Sequence, residues 1–340
     1  MSEAPETSAA SAIVIHSGGE VIYEKNADTR SLIASTTKLM TAIVTIENCA
    51  LDDELEVEAE SCGIEGSSMY LRPGQRITVE ELLYGLLLVS GNDAADALAK
   101  YTAGSIENFA ALMNEKAQSL GMTDSSFSNP HGLDAENHYS TARDMAVLMD
   151  YCMNNEDFAR IISASSRQIG EQSYYNHNKL LWRCSGCLGG KTGYTLAAGR
   201  CLVSCCERDG TRYICVTLSD PDDWNDHCRL YDWAFSQYCD RRPLSGADLP
   251  DVPVISGSAP AVSVVPEEEP VLFLPRDAEL SVRYELPRFV FAPVKAGERA
   301  GRCAIIYDGK VAAECELLYA VNVPILARTS GNLYLRMELA

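Results

Sequence analysis

Apolar residues recur at helical spacing through residues 36–160, and they form short runs bounded by turn residues on either side of that stretch. Residues 11–16, a Ser17-Gly18-Gly19 turn and Val21-Ile22-Tyr23 predict an opening hairpin. Leu39, Met40, Ile43, Val44 and Ile46 make a helix over 36–49 apolar around much of its circumference, as a buried helix is. A second apolar helix, 79–89, breaks at Ser90-Gly91-Asn92, and another begins at Asp93. Ser105 caps a helix with Phe109, Leu112, Met113 and Leu120 inward, ending at Gly121; Ser140 or Thr141 starts the next. Strands return after 187 as a hairpin, 200–206 and 213–218, across the turn Glu207-Arg208-Asp209-Gly210, and a helix over 224–238 follows. Strands at both ends of a helical middle predict an α+β fold, an antiparallel sheet joined by the two termini with helices on its faces.

From about Pro243 the texture changes. Prolines fall at 243, 250, 253, 260, 266 and 270, yet Val252, Val254, Ile255, Val262, Val264 and Val265 are β-branched, which favours short strands over a flexible linker. Further strand runs lie at 271–274, 280–284, 303–307 and 311–319, and Asp308-Gly309 is a hairpin turn between the last two. The expected organisation is a domain over 1–243, a small all-β domain over 250–327 and a tail over 328–340. In that tail Leu333, Leu335, Met337 and Leu339 alternate, the wrong period for a helix face.

Composition narrows the function. A chain of 340 residues with 46% apolar content can bury a sizeable core. A formal net charge of −20 opposes nucleic-acid partners and simple docking on anionic lipid. Met1-Ser2-Glu3-Ala4-Pro5-Glu6 is acidic and carries no apolar signal segment. Of the 13 cysteines, Cys201, Cys205 and Cys215 fall on strands, where they act as small apolar residues. Cys184-Ser185-Gly186-Cys187 has redox spacing but precedes a strand instead of opening a helix, so it reads as coincidence. His131 and His138 lack the partners that would complete a metal site; loop or core hydrogen bonding suits them, and neither metal nor cofactor is expected.

Three short motifs carry the chemistry: Ser35-Thr36-Thr37-Lys38, Ser90-Gly91-Asn92 and Lys191-Thr192-Gly193. Lys38 lies one helical turn from Ser35, so a desolvated lysine, its pKa lowered enough to leave the amine neutral, could take the serine proton. The helix N-terminus there favours a developing oxyanion. Alone, the pair reads better as an N-cap serine and a snorkelling core lysine. Ser90-Gly91-Asn92 can place a hydroxyl and an amide in a cleft, although alone it reads better as a simple helix–helix corner with Asn92 or Asp93 capping. Lys191 and Thr192 offer a charge and a donor to an anion, and Gly193 allows close backbone approach. A phosphate loop is excluded, because position 185 is serine where that loop needs glycine.

Together and in this order, the three motifs resemble those of penicillin-binding proteins and serine β-lactamases. The longer strings Ile33-Ala34-Ser35-Thr36-Thr37-Lys38-Leu39-Met40-Thr41-Ala42, Leu71-Arg72-Pro73-Gly74-Gln75, Leu88-Val89-Ser90-Gly91-Asn92-Asp93-Ala94-Ala95 and Gly190-Lys191-Thr192-Gly193-Tyr194-Thr195 resemble the low-molecular-mass penicillin-binding proteins, the serine-type D-alanyl-D-alanine carboxypeptidases of peptidoglycan maturation. The likeness covers most of residues 10–240. It implies that Ser35 attacks the penultimate D-alanine carbonyl, Lys38 accepts its proton, and Ser90 with Lys191 relays a proton to the departing amine. Asn92 would hold the substrate amide and Thr192, with Gly193 and Thr195, the terminal residue. Backbone N–H groups of Ser35 and Tyr194 would form the oxyanion hole. The implied partners are peptidoglycan stem peptides and, as covalent inhibitors, β-lactams. The resemblance also implies an extracytoplasmic site of action and a membrane-associating tail.

One departure stands out. Members of that family often carry an arginine after the second hairpin strand to bind the substrate carboxylate, and here residues 219–228 contain none. Three other readings share the motifs. A serine β-lactamase needs a positioned glutamate, but no Glu-x-x-x-Asn occurs between 121 and 140. A DD-endopeptidase would use the same site, and a non-catalytic peptidoglycan-binding scaffold would need no intact triad of motifs.

Overall fold

The computed structural model describes residues 3–326, in which the chain divides into two compact units, Met1–Gln237 and Tyr238–Ala340. The tail expected at 328–340 lies outside the described residues.

The first unit opens with β1 (Ser11–His16) and β2 (Val21–Lys25), the expected hairpin. After a 3₁₀ turn over Ala34–Thr37 comes α1 (Lys38–Asn48). A short hairpin of β3 (Glu54–Glu56) and β4 (Arg76–Thr78), which the helical texture of this region hid, leads to α2 (Val79–Leu88) and α3 (Asn92–Ala103). Next are α4 (Ile106–Ser119), α5 (Ala142–Met153) and α6 (Glu156–Ile162). Ser105 caps α4 and Thr141 caps α5, each hydroxyl accepting from the backbone N–H three residues on. A further hairpin, β5 (Ser166–Ile169) and β6 (Gln172–Tyr175), and a single turn, α7 (Leu180–Arg183), precede β7 (Cys187–Thr195), β8 (Gly199–Arg208), β9 (Thr211–Leu218) and α8 (Asp223–Gln237).

Five strands form one antiparallel sheet in the order β2-β1-β9-β8-β7. The two ends of the unit thus meet in its middle, β1 pairing β9 from Ser11↔Leu218 to His16↔Tyr213. Alternation along β8 sorts the two faces. Cys201, Val203 and Cys205 join the core shared with α1 to α6, whereas Ser204 meets His227 and Tyr231 of α8. Most of the apolar core lies on the α1–α6 side, with Leu39, Met40, Ile43, Leu82, Leu86, Phe109 and Phe158 at 0% exposure. β7 is an edge strand, as β2 is at the other side, and the strand carrying Lys191-Thr192-Gly193 thus presents backbone to the helical region.

The second unit is all strand: β10 (Tyr238–Arg241), β11 (Val252–Ile255), β12 (Ala261–Val262), β13 (Val264–Pro266), β14 (Leu272–Pro275), β15 (Leu280–Glu285), β16 (Val290–Phe291), β17 (Arg299–Tyr307) and β18 (Lys310–Tyr319). Asp308 and Gly309 turn β17 into β18 with φ of 50° and 71°. Val252, Val254, Val262, Val264, Cys303, Leu317 and Val323 form its own core.

Candidate active site

Sequence pattern put Ser35 at the mouth of a helix starting at 36. Instead Ser35 sits within the 3₁₀ turn, and α1 begins at Lys38. Two threonines explain the tighter turn. Thr36 Oγ1 donates to Ile33 O at 2.6 Å and Thr37 Oγ1 to Ala34 O at 2.8 Å, capturing carbonyls at the entry to α1. Ala34 is left-handed, with φ +47, an unfavourable state for alanine that neighbouring packing must enforce. Gly132 does so from below: a Cβ there would stand 2.0 Å from Ala34 O. Thr37 Oγ1 also meets His138 Nε2 at 2.7 Å, so this buried histidine buttresses the turn.

Lys38, at 0% exposure, aims back along the helix. Its Nζ lies 2.9 Å from Ser35 Oγ and donates to Asn92 Oδ1 and His131 O, both at 2.6 Å. Asn92 starts α3 and offers its amide N–H to Glu65 O. Next to it Asp93 is fully buried and accepts from Met69 N, Leu71 N, Ser68 Oγ and Ala94 N, which fixes the loop facing the site. Ser90, another left-handed residue with φ +63, turns its hydroxyl toward Lys191, whose Nζ donates to Ser90 Oγ at 3.0 Å and to Thr192 O at 2.8 Å. The site therefore holds two serine–lysine pairs with Asn92 beside the first.

Gly193 brings the edge strand against the nucleophile turn. A Cβ there would stand 2.9 Å from Ile33 O and 3.1 Å from Ser35 N, so only glycine allows this approach. The backbone of Gly193 thus lies against that of Ser35. Thr195 Oγ1 donates to Asp134 Oδ1 and accepts from Ala198 N, both at 3.0 Å, contacts that tie down the strand end. Thr192 Oγ1 has no hydrogen-bond partner among the described residues.

Burial holds Lys38 well below the ordinary lysine range, and the Lys191 charge lowers it further. Burial brings Lys191 to about 7. His131 and His138 are each pushed down to about 4, mainly by burial, and so are neutral near pH 7. Among the described residues no group of three or more His, Cys, Asp or Glu side chains is arranged to hold a metal ion. Beside Asn92 a cavity of about 480 Å³ runs along Gly66, Ser68, Tyr70, Gln172, Tyr174 and His177, lined by polar but largely uncharged groups.

Sequence reasoning passed over one cation near this cleft. Arg200 stands directly opposite Tyr194 across the β7–β8 ladder. Its Nη2 donates to both oxygens of buried Asp223 at 2.8 and 2.9 Å, and its guanidinium carbon lies 5.7 Å from the Trp224 ring centroid. Nε and Nη1 have no partner among the described residues, and the side chain is 42% exposed. An arginine opening the strand after a tight Gly199 turn was the available signal.

A serine hydroxyl beside a desolvated lysine, a second such pair and an edge strand with close backbone approach define an acyl-transferring serine enzyme. The family model of D-alanyl-D-alanine carboxypeptidases matches residues 1–222, that of the penicillin-binding protein 5 C-terminal domain matches 245–325, and the chain belongs to this carboxypeptidase family. It is 31% identical to D-alanyl-D-alanine carboxypeptidase DacF of Bacillus subtilis, over 92% of this chain and 87% of that one. To DacC of Escherichia coli it is 33% identical, over 94% and 86%. Penicillin binding protein 5 from Haemophilus influenzae superposes with a TM-score of 0.73 at 28% identity, covering 95% of this chain and all of that one. The protein is a serine-type DD-carboxypeptidase of the penicillin-binding class.

Two outcomes follow from the geometry. Gly193→Ala should fold with near-normal circular dichroism yet lose on the order of 10²-fold in kcat, because the strand must retreat from Ser35. Lys191 has a folded pKa lowered from 10.5 to about 7, so the unfolded state binds the extra proton between those values. Unfolding free energy should therefore rise with pH above about 7, by at most ~1.4 kcal/mol per pH unit from this group. Urea titrations at pH 7 to 9 should show that slope reduced in Lys191→Met, which is also expected to be more stable at pH 7.

Proposed function

We propose that Ser35 is the nucleophile of this carboxypeptidase and Lys38 its general base, with Ser90 and Lys191 returning the proton to the departing D-alanine. The carrying observation is the 2.9 Å approach of a fully buried, pKa-lowered Lys38 to Ser35 Oγ. In the acylation step Ser35 Oγ attacks the penultimate carbonyl while its proton passes to Nζ of neutral Lys38. The oxyanion develops toward the backbone N–H groups of Ser35 and Tyr194. Lys191, poised near pH 7, holds a proton it can pass through Ser90 to the leaving amine. Water then hydrolyses the ester. Asn92 exchanges its contact with Glu65 O for the substrate amide, and a β-lactam, mimicking the acyl donor, leaves a stable ester on Ser35. The cavity beside Asn92 suits the preceding residues of the stem peptide.

Arg200 supplies the cation that the sequence lacks after β9. Its free Nε and Nη1 edge, held in place by Asp223, stands on the same strand face as Thr192, one diagonal position away. Thr192 O–H and this edge would receive the terminal carboxylate. Substrate and reaction place the site of action outside the cytoplasm. No helix among the described residues is long and apolar enough to cross a membrane, and surface association would rest on the tail.

Ser35→Ala should abolish D-alanine release from a pentapeptide ending in D-Ala-D-Ala; undiminished release would overturn the nucleophile assignment. Arg200→Ala should lower kcat/KM on that peptide about 10- to 100-fold, the value of a charge-assisted hydrogen bond. A C-terminal methyl ester, which has no carboxylate to lose, should be turned over equally by both forms. An equal loss on both substrates would make Arg200 structural only.

A further inference from the structure

Away from the catalytic cleft, on the face of the sheet covered by α8, four cysteines converge that the carboxypeptidase reaction does not use. Cys184 ends α7, Cys187 begins β7, Cys206 lies on β8 and Cys228 on α8. Cys184 Sγ and Cys206 Sγ are 3.8 Å apart. Cys187 stands directly opposite Cys206 in the β7–β8 ladder, and the thiols of Cys187 and Cys228 are hydrogen-bonding neighbours of Cys206 and Cys184. The four therefore run in the spatial order Cys187, Cys206, Cys184, Cys228. What reads in sequence as an incidental Cys-x-x-Cys is part of a larger thiol cluster completed from two distant elements.

The backbone around them is firmly tied. Gly186, with φ +80, reverses the chain between the first two cysteines; Cys187 N donates to Cys184 O, Glu207 N to Gly186 O and Arg208 Nε to Ser185 O. Cys184 and Cys206 are buried, while Cys187 and Cys228 are half-buried. Four thiols at a metal would gather about one point, with each sulfur some 2.3 Å from the ion. Among the described residues no three of these four are arranged in that way.

We propose that this cluster is a dithiol–disulfide site in which Cys184 and Cys206 form a reversible bond, with half-buried Cys228 admitting the oxidant, a small-molecule or protein disulfide. Sulfurs 3.8 Å apart need to close by a little under 2 Å to reach bonding distance, within the reach of side-chain rotation. Cys184 is the thiolate of the cluster: its neighbours Cys206 and Cys228 and the Arg208 guanidinium, 3.8 Å from its sulfur, hold its pKa down, whereas burial raises Cys206 and the contact with Cys184 raises Cys228. Cys228 passes its proton to the Cys184 thiolate it contacts and attacks the external disulfide R–S–S–R, forming a mixed disulfide; the departing thiolate takes that proton from Cys184. Cys184 thiolate then attacks the Cys228 sulfur and expels the second. Cys206 thiolate attacks Cys184 in turn, and Cys228 leaves reduced. In sum two cysteine thiols give up two electrons and two protons, and one external disulfide becomes two thiols. The product staples the entry of β7, the strand that carries Lys191 four residues further on, to its neighbour β8. Thiol persistence or oxidation would then follow the redox poise of the compartment in which the protein works.

The test equilibrates the full chain with glutathione buffers of graded ratio, traps free thiols by alkylation and maps linked peptides by mass spectrometry. The expected product is a Cys184–Cys206 link that forms in oxidised glutathione, disappears with dithiothreitol and is absent from Cys184→Ser and Cys206→Ser. Its formation should raise Tm by several degrees, as a cross-link that constrains the unfolded chain does. Cys228→Ser should slow oxidation without removing the link. Full alkylation of Cys184 and Cys206 even in oxidised glutathione would overturn the proposal. So would a stoichiometric zinc ion, found by elemental analysis, that shields the four thiols.

Discussion

Two lysine side chains, Lys38 and Lys191, are buried to within 1% of complete enclosure in one cleft, and the rest of the catalytic unit is arranged around the difficulty of keeping them there. An ammonium taken out of water favours its neutral form, and a second one nearby adds to that preference. The fold answers with short-range acceptors in place of counter-charges: Asn92 Oδ1 and His131 O for Lys38, Ser90 Oγ and Thr192 O for Lys191. The one nearby buried carboxylate, Asp93, is saturated by loop donors and is not spent on either lysine. Had it formed an ion pair with Lys38, the lysine would have kept its proton and lost its use as a base. Neutral acceptors hold the position of the amine without fixing its charge.

Keeping the lysines in register requires backbone that ordinary residues resist. Ala34 sits one position before Ser35, and Ser90, itself left-handed, aims its own hydroxyl. Ala34 is held by Gly132 from one side and by Gly193 from the other, since a Cβ on Gly193 would lie 3.1 Å from Ala34 Cβ. Two glycines on separate segments thus enforce one strained alanine, and the turn bearing Ser35 is clamped between a loop and the edge strand. The strain is stored where precise placement of Ser35 matters most.

Which parts of this were legible in the sequence follows from whether the signal is local. Helix periods, the Ser105 and Thr141 caps and the Asp308-Gly309 turn are local, and they predicted their elements to within a few residues. The α+β class followed from strand runs at both ends. Motif order exposed both serine–lysine pairs. What stayed hidden depended on contacts between distant segments. The 3₁₀ turn at Ser35 needs Gly132 and the threonine back-bonds; the β3–β4 hairpin consists of three-residue strands with too few positions to show a period; Asp93 looked like a helix cap, and its partners at 68–71 appear only in the fold.

Arg200 illustrates the same limit in functional terms. The search for a carboxylate-binding cation along the chain stopped at 219–228, because the resemblance located it by sequence position. A carboxylate responds instead to where a guanidinium ends in space. Antiparallel pairing sets Arg200 opposite Tyr194, and α8 contributes Asp223 to orient it, so one strand inward serves as well as the end of β9. The Asp223 contact uses a single terminal amino group, which leaves the remaining edge available to a second anion. A neutral partner for that edge would bind weakly; a carboxylate would be held at two donors in a fixed plane. The acidity of the chain sharpens this preference: with a formal net charge of −20 the surface repels anions broadly, and a carboxylate-ended peptide is favoured only where a cation with free donors faces the cleft. In the proposed role, specificity for the free C-terminus would arise from one oriented guanidinium, with no need of a general positive field.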